Sequence, residues 1–226
     1  MVSSGIPSEH AFFYSLAELY GEQLAGAMLL ARPLPLAPEI RLYLLHDDYP
    51  KHDLEREAYE RLMASPPYWA FCWGGGQGMA RYLLDNPECV AAESVIDFGA
   101  GSGVAAIAAL QSGALAAVAV DIDPIALKAV AVNAALNGVM VNTAAQSDLK
   151  GKDIMLAADI CYEDSGLAVV YEHLAGQGRL IVSDSRIAQL SRKLPGVRQV
   201  AEYHVKTFPD LEEHKCFEIV RLYSNF

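Results

Sequence analysis

The residues best placed to do chemistry are the run Asp97-Phe98-Gly99-Ala100-Gly101-Ser102-Gly103 and the acid Asp121. Ser94-Val95-Ile96-Asp97-Phe98 reads as a short buried strand, and a helix is expected over 103–111. Glycines between them let the backbone bend sharply and approach a ligand closely. The helix start leaves backbone N–H groups free to face that ligand. A dinucleotide loop would need Gly-x-Gly-x-x-Gly, but Val104 occupies the position of its last glycine. Asp121 closes the next strand, where a carboxylate can accept from both hydroxyls of a ribose. Ile122 would then lie against the base. Asp123 is assigned to the following helix as N-cap, with Pro124 at the first helical position. On this reading Asp121 has no competing local duty. Asp148, after the third strand, has two readings of nearly equal weight: an acceptor for a base amino group, or a solvated turn acid.

The elements that must position these residues follow an alternating pattern. Strands are expected over 94–98, 116–120, 139–145, 153–158 and 179–183. Helices are expected over 78–84, 103–111, 124–136 and 167–175. Gly113 is a plausible helix stop. Strands alternating with helices imply a parallel sheet covered on both faces. Two last strands, over 197–206 and 215–223, have no helix between them and should form an antiparallel hairpin. Residues 1–65 read as a small N-terminal extension and 66–226 as the main domain. The extension should hold an amphipathic helix over 11–31, a strand over 40–45 and a charged helix over 46–62. Pro33, Pro35 and Pro38 separate the first of these from the rest.

With 226 residues, 53% hydrophobic and 20% charged, the chain is globular in composition. Its formal charge of −11, with no run of Lys or Arg, argues against a nucleic-acid partner. Acidity favours cationic ligands, or serves solubility alone. Cys72, Cys89, Cys161 and Cys216 show no metal or disulfide spacing, and the six histidines are scattered. Reduced thiols fit the cytoplasm. The apolar stretch 11–31 carries Glu18, Glu22 and Gln23 and follows no basic residue, which argues against export or membrane spanning.

The run from Val95 to Gly103, together with Val120-Asp121-Ile122-Asp123-Pro124, resembles the class I, seven-strand methyltransferases. A narrower resemblance covers most of the chain. Pro66-Pro67-Tyr68-Trp69-Ala70-Phe71-Cys72-Trp73, Gly75-Gly76-Gln77, residues 80–87, Asn133-Ala134-Ala135-Leu136-Asn137-Gly138-Val139 and residues 37–42 are similar to bacterial relatives of the electron-transfer-flavoprotein β-subunit lysine methyltransferase. Some of that group carry the label nicotinamide N-methylase. The resemblance implies a Rossmann-like α/β sheet of seven strands and S-adenosyl-L-methionine as cofactor. It implies cofactor contacts at Trp73, Asp97, Gly99, Ala100, Gly101, Gly103, Asp121, Ile122 and Asp148, and no metal. The motif Asp159-Ile160-Cys161-Tyr162 implies that Asp159 and Tyr162 border the substrate amine. The chain departs from the family's Gly-Asp-Pro-Gly-Arg after the fifth core strand, reading Ser183-Asp184-Ser185-Arg186.

Three acceptors follow from the resemblance: a protein lysine, a small nicotinamide-like amine, or a ribosomal protein of the large subunit. In each case the nucleophile must be a neutral amine, and a lysine has a reference pKa of about 10.4. A partly apolar channel lowers it, and Trp69, Phe71, Trp73 and Tyr162 are the candidate walls. Asp159 would orient the amine by accepting a hydrogen bond.

Overall fold

The computed structural model describes residues 29–46, 66–144, 154–187 and 189–226, with residues 56, 57, 60 and 64 besides. Asp148 and most of the helices expected over 11–31 and 46–62 lie outside them.

The first described element corrects the sequence expectation. Leu29–Pro33 is a strand, β1, pairing antiparallel with β2, Arg41–Leu45. The expected helix ran through Ala31. Pro33 disfavours the helical region at Arg32, and the edge of β2 takes up the backbone groups instead. The main sheet has seven strands: β3 (Ser94–Phe98), β4 (Ala116–Val120), β5 (Asn142–Ala144), β6 (Ile154–Ala158), β7 (Leu180–Asp184), β8 (Arg198–His204) and β9 (Ile219–Ser224). Their spatial order is β5-β4-β3-β6-β7-β9-β8. The first five are parallel, while β9 runs antiparallel to both β7 and β8. The expected C-terminal hairpin is therefore present, inserted so that β9 lies inside.

Among the described residues, helices α1 (Gly74–Asp85), α2 (Val104–Gln111), α3 (Pro124–Leu136) and α4 (Asp164–Ala175) cover the sheet. Helix α1 starts a turn earlier than expected, within Gly74-Gly75-Gly76, and α4 starts at Asp164 rather than Leu167. Asp123 caps α3 as expected, accepting from the Ile125 N–H at 2.8 Å. Alternating residues of β3 face opposite layers. Val95 joins a cluster with Met79, Leu83, Ile107 and Val130 from α1, α2 and α3, whereas Ile96 joins Val170 of α4. Helix α2 is apolar all round because it is covered on all sides, and six of its eight residues are buried.

The β1–β2 hairpin shares this core through Leu42 and Leu44. Two asparagines of the α3 region fasten it. Asn137 accepts from Arg41 N–H at 3.0 Å and donates to its carbonyl, and Asn133 accepts from Tyr43 N–H at 2.8 Å. Among the described residues no helix is long and apolar enough to cross a membrane.

Candidate active site

Parallel strands place their carboxyl ends along one edge of a sheet. The chain reaches β4 and β5 on one side of β3 and then crosses to β6 on the other. The gap between β3 and β6 is thus a topological switch point, where open α/β sheets bind ligands. The glycine loop leaves β3 on one side of that gap, and Asp159 leaves β6 on the other.

Gly99, Gly101 and Gly103 all have positive φ, at 70°, 50° and 81°. A Cβ on Gly101 would meet nothing within 4 Å, so the loop shows bare backbone to open space there. Asp121 holds it in place. One oxygen accepts from Gly101 N–H at 2.8 Å and the other from Asp123 N–H at 2.9 Å. Asp121 therefore has the local duty that sequence reasoning denied it. Each oxygen still keeps a second acceptor position. Burial pushes its carboxyl upward, offset by those N–H donors. Ile122 beside it, just beyond β4, is 92% exposed, an uncovered apolar side chain. The Ala100 side chain is buried, so only its backbone faces outward.

Asp97 lies beneath the loop, buried, and accepts from Ala106 N–H in the first turn of α2 at 3.0 Å. Burial pushes its carboxyl up to about 7. Asn133 is a positioning residue the sequence reading did not single out. It is buried, donates to the Ser102 carbonyl at 2.9 Å, and accepts from Tyr43 on β2. The hairpin and the glycine loop are thereby joined through one side chain. Its only sequence signal was a polar residue amid the apolar positions of a helix.

Across the gap, Asp159 has φ +51°, a left-handed turn that Asp tolerates better than most residues. Its Oδ2 accepts from Gly75 N–H at 2.6 Å, and its Oδ1 accepts from both the N–H and the hydroxyl of Ser185 at 3.0 Å. Asp159 thus caps α1 from a distant strand, since Trp73 at the N-cap position supplies no side-chain bond. Gly75 permits this approach: a Cβ there would stand 2.5 Å from the carboxylate. Burial, followed by the neighbouring Asp184, pushes Asp159 up to about 6.

Trp73 lies half-buried beside this acid, its indole N–H donating to the Tyr68 carbonyl at 3.0 Å and its ring 6.0 Å from that of Phe71. Tyr162 is 45% exposed. Trp69 departs from the expected channel. It turns inward among Leu29, Leu45, Ala126 and Val132 and is one of the largest fully buried side chains. Trp69 and Trp73 are drawn to different partners, Trp69 under the hairpin and Trp73 towards Arg186, which is why adjacency in sequence misled.

Residues 81–184 match the model of the ribosomal protein L11 methyltransferase family. The electron transfer flavoprotein beta subunit lysine methyltransferase of Rattus norvegicus is 41% identical over 134 residues, covering 57% of this chain and 51% of the relative. The Homo sapiens counterpart is 40% identical over 134 residues, covering 57% and 50%. The chain thus spans about half the length of the curated relatives it matches. A ribosomal protein L11 methylase structure from Lactobacillus delbrueckii subsp. bulgaricus aligns with a TM-score of 0.48 at 22% identity, covering 66% of this chain and 77% of that one. The matched residues 81–184 carry β3, the glycine loop, Asp121 and Asp159, so the candidate site lies within the segment that is similar to these methyltransferases.

Proposed function

We propose that this chain methylates the ε-amino group of a protein lysine, with an electron-transfer-flavoprotein β-subunit-like protein as its target. The observation that carries the reading is the pairing of two unlike half-sites across the β3–β6 gap. One is an open backbone cradle closed by a carboxylate. The other is a carboxylate walled by aromatic rings.

The cradle fits S-adenosyl-L-methionine. Gly101 leaves space against bare backbone. The start of α2 suits a carboxylate, Asp121 suits a ribose diol, and exposed Ile122 suits an adenine face. Gly99, Ala100 and Gly103 contribute backbone, and Asp97 supports the loop from below. The cofactor supplies an electrophilic methyl on a sulfonium.

The chain's own residues then prepare the nucleophile. A lysine ammonium has no lone pair, so it must lose a proton before transfer. Trp73, Phe71 and Tyr162 offer an aromatic wall along which the amine approaches the acid. Asp159 has about four acceptor positions and spends three on Gly75 and Ser185. The fourth, on Oδ2, is left to accept from the amine and aim its lone pair. Because both oxygens are fixed by α1 and the β7 loop, that aim is set before substrate arrives, and orientation supplies much of the rate.

The formal charge of −11 favours a basic protein surface over nucleic acid. Four free thiols fit a reducing compartment such as the cytoplasm. The test is methyl transfer from radiolabelled S-adenosylmethionine with purified electron-transfer-flavoprotein β-subunit and, separately, nicotinamide. Label on a β-subunit lysine is the expected result. Label on nicotinamide with an unlabelled protein would overturn the lysine assignment.

A further inference from the structure

Arg186 follows β7 in the segment that departs from the family pattern. Its guanidinium carbon stands 5.6 Å from the ring centre of Trp73, 5.5 Å from that of Tyr162 and 4.8 Å from that of Phe217. One of its amino groups donates to Glu213 at 2.9 Å. The three rings come from separate parts of the chain: the segment before α1, the loop after β6 and the turn before β9. Convergent aromatic faces with a carboxylate at one side are how proteins hold ammonium and methylated ammonium groups. A side chain kept there for packing alone would not need a cation.

Two further observations bear on what this box is for. Arg186 and Glu213 keep 28% and 21% of their side chains exposed, so the guanidinium can leave without opening the core. A shallow depression adjoins it, sharing Glu213 and Phe217 and adding Asp210 and Glu218. Its lone cation, Lys206, is paired with Asp210. A second positive group arriving from solvent therefore finds carboxylates at the entrance.

We propose that Trp73, Tyr162, Phe217 and Glu213 form a cation box for the alkylammonium of the methyl acceptor, and that Arg186 is its resident occupant, displaced when the acceptor enters. The proposal rests on reading Trp73 and Tyr162 as walls of the acceptor site. It also assigns specificity. A tethered competitor acts at an effective concentration in the millimolar range. A free small amine must outcompete it unaided, whereas a lysine on a docked protein is itself held at high local concentration. Arg186 is thus a specificity-determining residue that admits protein-borne amines and turns away free ones.

The test is calorimetric titration of the full chain with tetramethylammonium chloride, a probe with no reactive hydrogen. Arg186→Gln and Arg186→Met should each bind it at least tenfold more tightly than the wild type. Arg186→Lys, which keeps a resident cation, should stay near the wild type. Adding Phe217→Leu to Arg186→Gln should erase the gain. Equal affinity in wild type and both neutral variants, each folded by circular dichroism, would overturn the proposal. So would a gain that survives loss of the ring. S-adenosylhomocysteine titrated into the same samples reports on the cofactor cradle alone. Its failure to bind would strike the methyltransferase reading, and a normal result beside flat tetramethylammonium curves would strike only the box.

Discussion

Replacing Gly101 by alanine separates the needs of the ligand from the needs of the fold. At φ +50° a side chain costs about 1–2 kcal/mol of backbone strain. The new methyl meets no protein atom within 4 Å, so no packing cost is added. For a chain of this size that strain lowers Tm by roughly 2–8 °C. The methyl instead projects into the space assigned to the cofactor. Crowding a fitted contact by one methyl costs about 1–3 kcal/mol, which weakens binding by roughly 5- to 150-fold. Gly103→Ala is the control. It carries similar strain at φ +81°, but its methyl would lie 3.0 Å from Val130 Cγ1 and 3.2 Å from Val130 Cα. Its cost falls on stability, about 1–3 kcal/mol beyond the strain. Calorimetry with S-adenosylhomocysteine and thermal melts on both variants give the comparison. If Gly101→Ala binds within twofold of the wild type, the ligand does not lie over this glycine and the cradle argument fails.

Asp159 is raised to about 6, so the carboxylate that accepts from the amine is lost below that pH. The transfer rate should show an acidic limb near pH 6, and Asp159→Asn should both slow transfer and remove that limb; a limb unchanged in the variant would assign it elsewhere. Asp97 is raised from 3.8 to about 7, so the folded chain binds the proton more tightly than the unfolded one. Stability from this group is full below about pH 4 and declines as pH rises through 7. Asp97→Asn should raise Tm relative to wild type at pH 8 more than at pH 4.5, and a larger gain at the lower pH would contradict the sign. Asn133→Ala removes the bonds to Ser102 and Tyr43 and orphans two backbone groups, at about 1–3 kcal/mol each. Hydrogen exchange should quicken in the glycine loop and at Tyr43 together; protection lost at only one of them would deny the coupling.

What the amino-acid order determined by itself is local. Ser94–Phe98 and Ala116–Val120 are strands over the expected residues, because apolar runs ending in glycine or an acid-proline turn leave few alternatives. The Asp123–Pro124 helix start is equally local, its cap bond spanning two residues. Tertiary structure decided the rest. Leu29–Pro33 has no strand signal of its own and takes its form from the edge of β2. Asp159 caps a helix through Gly75, 84 residues earlier in the chain, and Asn133 joins a strand to a loop across the core. Trp69 and Trp73, four positions apart, part company because one is drawn under the hairpin and the other faces Arg186. Periodicity and turn chemistry act over a few residues, whereas burial, capping from afar and ring clustering depend on which surfaces the folded sheet brings together.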